Sequence, residues 1–391
     1  MKEKFLVTNF AYGTGPYLRT TNLAIAFNNE FEKASLKRLG IIVPWVYGEK
    51  QKKVMLEEFS GHLKKYPDEI LLDAKLGLIL KSVFYGDNYY QQALSQWINS
   101  AETVSRKIHN YLSGILKTEN FSGKKKEIAG KDIVVELNRS PRISYKIAPA
   151  YFTSFGYIEQ ILKEAQSVEK IDIEKNLLKR GVETAKKVEE NQQLHCIAYP
   201  GTFSFGKNYQ AGYQTEILVP PIAPPPLANE EQIEKGIFVT ITGIPGLERL
   251  YSEAKELGLK LYSNDPKAVP GSVRALPRVI SNKNIIFQFA RSGWSSVWIS
   301  MISGTPLVIP DFDSKDDPEI YFNNKAIEKL GIGIIYRGQP LKEILRQTEK
   351  VRKNSQVLKN QILNRWGTLD GNQYCAKLFV EHFLNNFSNN L

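Results

Sequence analysis

Five of the seven residues from 220 to 226 are proline. A run like this has almost no backbone N–H to give to a helix or an inner strand, so it reads as a stiff, extended connector. It divides the 391-residue chain, and the same alternation of short apolar runs and helical stretches occurs on both sides. Before it, residues 5–10, 41–44, 132–136 and 194–198 read as buried strands. A Gly-containing turn at 12–16 and a helical pattern over 18–31 follow the first of them, and 51–117 reads as mostly helical. After it, strands are expected at 236–241, 259–262, 284–288, 305–309 and 333–336, with a turn at 242–246 and a helix over 247–257. Tyr374, Leu378, Phe379 and Phe383 recur at helical spacing, so the tail closes as an amphipathic helix. Strands alternating with helices predict an α/β chain with parallel sheets covered on both faces.

Composition removes several function classes. No uncharged apolar run reaches the ~18 residues of a spanning helix. The first ten residues have too short an apolar stretch for a secretory leader, which predicts a cytoplasmic protein. Cys196 and Cys375, far apart, make neither a metal cage nor a disulfide framework. The net charge is +11, with 23 basic and 15 acidic residues over 1–150. The densest window is 101–150, which contains Lys124, Lys125, Lys126 and Lys131. The stretch 122–131 reads as a solvated loop, or as a patch for an anionic membrane surface or a phosphorylated ligand. No helix-turn-helix, RRM or C2H2 pattern is present, so no nucleic-acid partner is expected. Aromatic residues cluster at Phe84, Tyr85, Tyr89, Tyr90 and Trp97 and at Tyr145, Tyr151, Phe152 and Phe155, as core, as the lining of an acceptor pocket or at a membrane surface.

The stretch from Arg291 to Pro310 carries the chemistry. A strand ends, a Gly-Ser loop (Arg291, Ser292, Gly293, Trp294, Ser295, Ser296) leads into a helix, and Gly304-Thr305-Pro306 turns into the next strand. Small residues let the backbone approach an anion, and the open N–H groups of a helix start complement a diphosphate. Arg291, Ser295 and Ser296 would add donors. The same residues also suit an ordinary Ser-capped helix start.

In its order of residues this stretch resembles the donor signature of glycosyltransferases with two Rossmann-like domains, the GT-B fold: His-Xaa-Gly-Xaa-Xaa-Ser-Xaa-Xaa-Glu-Ala, three residues, then Gly-Xaa-Pro. Gly293, Trp294, Ser296, Gly304 and Pro306 match by position. Gly293-Trp294 is similar to the UDP-glycosyltransferases of plant secondary products. The acidic segment with Asp316, Glu319 and Asn323 is similar to the lipid-linked peptidoglycan N-acetylglucosaminyltransferase.

The resemblance implies two doubly wound domains facing a cleft. An acceptor-binding domain would span 1–219, a proline-rich linker 220–235 and a nucleotide-sugar domain 236–368, with a helix over 369–391 crossing back to the first domain. It implies a donor site built from Gly243, Arg291, Ser292, Gly293, Trp294, Ser295, Ser296, Asp316, Glu319 and Asn323, and a cleft loop of Gly13, Thr14, Gly15 and Arg19. The co-substrate would be a nucleotide-diphosphate sugar, a UDP-sugar by preference, with no cofactor and no metal. The acceptor is not identified by the sequence.

Departures from the pattern shape the mechanism. Arg291 stands where the family has His, Ile299 where it has a ribose-contacting Glu, and Pro16 or Tyr17 where many members carry the catalytic His. The base is then sought among carboxylates: Glu136, at the end of an apolar strand, and Asp87. Glu136 also reads as a solvent-facing residue opening a loop beside Arg139 and Arg142, and Asp87 as a helix N-cap, the commoner roles for such carboxylates. Asp316 and Glu319 also suit the start of the helix that follows them. A catalytically silent nucleotide-sugar binder, or a UDP-N-acetylglucosamine 2-epimerase-type enzyme, are the alternatives.

Overall fold

The computed structural model describes residues 2–10, 14–46, 48–83, 89–139, 142–154, 158–206, 209–240 and 247–390. The chain forms two compact units. The first comprises Met1–Ala198, Gln210–Val219 and Asn372–Leu391; the second comprises Tyr199–Tyr209 and Pro220–Gly371.

The first unit holds strands β1 (Phe5–Phe10), β2 (Gly40–Pro44), β3 (Ile70–Asp73), β4 (Ile115–Glu119), β5 (Lys125–Ala129), β6 (Ile133–Arg139), β7 (Ala150–Ser154), β8 (Leu194–Ala198) and β9 (Glu216–Val219). They form one sheet in the order β5-β4-β3-β2-β1-β6-β7-β8-β9. From β3 to β9 every neighbouring pair is parallel. β4 pairs antiparallel with β3 and β5. β2, β6, β7 and β8 are buried along their whole length, which is why they appear in the sequence as nearly continuous apolar runs rather than alternating ones.

The last helix, Gly371–Phe387, returns the chain to this unit. Its Cys375, Ala376, Phe379 and Phe383 are fully buried. Phe379 stacks on Phe152 at 5.0 Å and Phe383 meets Phe31 of the helix Thr14–Lys33 at 5.5 Å.

The second unit holds β10 (Gly236–Val239), β11 (Lys260–Ser263), β12 (Val273–Arg274), β13 (Ile285–Phe289), β14 (Leu307–Pro310) and β15 (Gly333–Tyr336), all parallel, in the order β12-β11-β10-β13-β14-β15. Ile237, Val239, Phe287, Phe289 and Val308 from the strands pack with Leu247, Leu250, Leu341, Ile344 and Val351 from the helices. Each sheet thus contains the doubly wound 3-2-1-4-5-6 order of a Rossmann fold.

Several elements differ from the sequence reading. The helical stretch 51–117 is interrupted by β3, whose four residues are all buried. The helix after β1 begins at Thr14, and β10 ends at Val239. The lysine-rich stretch at 122–131 contains β5, an edge strand, in place of a solvated loop. Residues 220–223 of the proline run are buried and 224–226 half-buried. Gly371 donates its N–H to the Pro221 carbonyl at 3.0 Å. A Cβ on Gly371 would lie only 2.4 and 2.3 Å from the Pro220 and Pro221 oxygens, so this approach needs glycine. Among the described residues, no helix is long and apolar enough to cross a membrane.

Candidate functional site

In the second sheet the strand order reverses between β10 and β13. In open α/β sheets such a reversal leaves a crevice beyond the carboxyl ends of the two strands, and ligands bind there. β13 delivers Arg291, Ser292 and Gly293 to this point, and the helix Trp294–Ser303 starts there. Gly293 is extended (φ −64°, ψ 131°), and no side chain caps the helix. Ser295 and Ser296 are half-buried in its first turn, while Arg291 is exposed. An uncapped helix start beside a guanidinium is electrostatically suited to an anion. Gly304, at φ +74°, ends the helix in the left-handed conformation that glycine favours.

The residues of the expected donor site divide by environment. The exposed Arg291 forms a close ion pair with the half-buried Asp316. Asp316 also accepts the Asp317 N–H at 2.9 Å. Asp317, which sequence reading passed over, caps the helix Pro318–Leu330 by accepting the Glu319 N–H at 2.9 Å.

Trp294 and Asn323 lie inside the unit. The Trp294 indole N–H donates to Asn323 Oδ1 at 2.8 Å and to Thr202 Oγ1 at 3.0 Å. Asn323 Nδ2 donates to the Ser292 carbonyl at 2.9 Å and to Glu319 Oε1 at 3.2 Å. Both side chains are bound to protein partners, and Ser292 is fully buried. Ile299, at the position of the family's ribose-contacting Glu, is buried. Gly243 lies outside the described residues.

The first sheet has its own reversal, between β1 and β6. Thr14 and Gly15 open the helix Thr14–Lys33, and Arg19 on that helix lies half-buried, 3.8 Å from Glu58. Burial lowers the Arg19 pKa, and Glu58 partly offsets this. Gly13 and Asp87 lie outside the described residues.

Glu136 neither ends a strand nor meets solvent. β6 continues to Arg139, and Glu136 sits at its centre, 1% exposed. Oε1 accepts from the Tyr145 N–H at 2.9 Å and from Asn138 Nδ2 at 3.1 Å. Burial disfavours the charged carboxylate and pushes its pKa up to about 7, with the Tyr145 N–H and Asn138 pulling the other way. Of the aromatic clusters, Trp97, Tyr145 and Phe152 are core and Tyr89 is 64% exposed; Phe84, Tyr85 and Phe155 lie outside the described residues.

In the basic window, Lys126 pairs with Glu3 at 2.6 Å and Lys124 with Asp68 at 3.1 Å.

No family model matches the sequence, and no curated protein matches it. Solved structures do. The calicheamicin glycosyltransferase CalG4 is 13% identical with a TM-score of 0.57, over 99% of this chain and 100% of that one. UGT2 of Phytolacca americana, solved with UDP-2-fluoroglucose and pterostilbene, is 10% identical with a TM-score of 0.58, over 98% and 99%. A UDP-glucosyltransferase of Polygonum tinctorium that glucosylates indoxyl is 11% identical with a TM-score of 0.59, over 97% and 98%. The chain therefore has the GT-B fold of these glycosyltransferases along nearly its whole length.

Proposed function

We propose that the chain is a glycosyltransferase that takes a nucleotide-diphosphate sugar, a UDP-sugar by preference, at the reversal point of its second unit. The observation that carries this reading is the uncapped helix start Gly293–Ser296 beside Arg291 at that point, within a fold whose solved examples include UDP-sugar complexes. An acceptor hydroxyl held by the first unit forms a bond to the anomeric carbon as the bond from that carbon to the diphosphate oxygen breaks. Charge grows on the leaving diphosphate, and preorganised N–H groups with Arg291 stabilise it there. Asp316 pairs with Arg291; on donor binding Arg291 turns to the diphosphate, and Asp316 becomes available to sugar hydroxyls, with Glu319, held by Asn323, beside it.

Glu136 is the proposed acceptor of the hydroxyl proton, because a pKa of about 7 suits a general base at neutral pH. At 1% exposure it meets no solvent directly, so the proton would have to reach it by a relay. Glu136→Gln should lower kcat while leaving the donor KM unchanged; an unchanged kcat removes this assignment.

The burial of Glu136 and the apolar Ile299 also favour a second reading, a nucleotide-sugar binder without catalysis. A thermal-shift screen against UDP-, GDP- and TDP-sugars tests the donor site, and absence of a shift with all of them would sink it. Release of free nucleotide from a bound donor sugar then separates enzyme from binder.

A further inference from the structure

We propose that Thr202 is a positioning residue for the donor loop, acting through Trp294 and Asn323; this rests on the donor-site reading above. The segment Tyr199–Tyr209 lies between β8 and β9 in sequence, yet it belongs to the second unit. The chain leaves the first sheet after Ala198, contributes these residues to the second unit, and returns before β9.

The segment holds the two helices on which the donor residues sit. Thr202 Oγ1 donates to Asn323 Oδ1 at 2.8 Å and accepts from the Trp294 indole at 3.0 Å. The Trp298 indole donates to the Pro200 carbonyl at 2.7 Å. Phe203 packs on Phe322 at 5.3 Å. Asn323 in turn holds the Ser292 carbonyl, one residue before the Gly293 that starts the helix.

The Thr202 hydroxyl is thus the third member of a buried triangle with the Trp294 indole and the Asn323 amide. Asn323 Oδ1 accepts from both of the others, and the Asn323 amide group fixes the peptide leading into Gly293. Buried polar groups with few partners hold their geometry closely, since each alternative leaves a donor unmet. Removing the hydroxyl loosens the Asn323 orientation and, through the Ser292 carbonyl, the amides at Gly293 and Trp294 that are proposed to meet the diphosphate. Thr202 touches no substrate in this scheme.

The test is calorimetric titration of UDP into the full chain and into three variants. Thr202→Val keeps the shape and removes the hydroxyl, and should weaken UDP binding by about five- to tenfold, the scale of one buried hydrogen bond. Thr202→Ser keeps the hydroxyl and should restore affinity to within about twofold. Ser300→Ala removes a different buried hydrogen bond, Ser300 Oγ to Gln288 Oε1 at 2.7 Å, further along the same helix. It should lower Tm comparably with no loss of UDP affinity.

Wild-type-like affinity in Thr202→Val, or equal weakening by Ser300→Ala, overturns the positioning role and leaves the donor site standing. Failure of the wild type to bind UDP overturns both. If Thr202→Val does not fold, Thr202→Ser decides: a loss of affinity despite the retained hydroxyl contradicts the proposal.

Discussion

At the scale of single residues, the proposed donor site turns on competition for Arg291. A salt bridge between an exposed arginine and a half-buried aspartate contributes modestly on its own, so an anion at the proposed site would compete with Asp316 for Arg291. Arg291→Ala should weaken UDP binding by ~1–3 kcal/mol, the range for a charged hydrogen-bond partner. Asp316→Asn should strengthen binding of UDP itself by less than ~1 kcal/mol, because it removes the competitor. Calorimetry reads both, and opposite signs for the two variants are the expected result.

Glu136 gives a second residue-scale prediction. Its folded pKa of about 7 lies above the ordinary 4.5, so the native state favours the protonated carboxyl. The resulting stabilisation is complete below about pH 4.5 and is lost as pH rises through about 7. Glu136→Gln should remove about 3 kcal/mol of pH dependence between pH 5 and 8, read by urea unfolding at each pH. A variant with the wild-type slope would show that Glu136 does not titrate in this window.

The sequence makes Gly293, Ser296 and Gly304 legible because a strand, a loop and a helix start are encoded within a few adjacent positions. Thr202 is invisible there, since it meets a tryptophan 92 positions away. Asn323 stands out in the sequence as a donor-site candidate, but its hydrogen bonds to Trp294 and Ser292 depend on burial that only the fold creates.

At the scale of elements, legibility follows hydrophobic pattern. β1, β2, β8, β13 and β15 are short, almost wholly apolar runs and stand out in the sequence. The hairpin of β4 and β5 does not, because its exposed positions carry alternating charges. Glu119 faces Lys125 across the two strands, and Lys117 faces Glu127. These opposite charges at directly paired positions support an edge hairpin that reads as a solvated lysine run. Glu127→Lys should cost roughly 0.2–1 kcal/mol by placing two lysines opposite one another, measured as a drop in unfolding free energy. The 26-residue helix Leu341–Trp366 escaped the sequence reading for a similar reason: its buried residues are a sparse stripe among many Lys, Arg, Asn and Gln side chains. The proline run is legible as a break but not as buried structure, since its packing on Gly371 joins residues about 150 positions apart.

At the scale of the whole molecule, the doubled alternation on either side of the prolines was enough to expect two doubly wound sheets. The threading of Tyr199–Tyr209 into the second unit was not, because nothing local marks it. The surplus of 11 positive charges acquires a distribution: Arg291, at the proposed anion site, pairs with Asp316, and Lys124 and Lys126 are engaged by Asp68 and Glu3. A contact with an anionic membrane surface, which the lysine-rich window led us to expect, would rest on Lys131 and on Lys117 and Lys125, which face Glu127 and Glu119 across the hairpin. Co-sedimentation with anionic vesicles should occur at ~10 mM salt and be lost by ~150 mM, where screening shortens to ~8 Å; retention at the higher salt would establish a stronger surface contact.

The central claim is that a nucleoside diphosphate binds at the reversal point of the second sheet. Amide-resolved NMR of the 15N-labelled chain during titration with UDP tests it most directly. The account predicts saturable shifts of the Gly293, Trp294, Ser295 and Ser296 amides, reduced in Arg291→Ala. Saturation with UDP that leaves these four amides unmoved would contradict it.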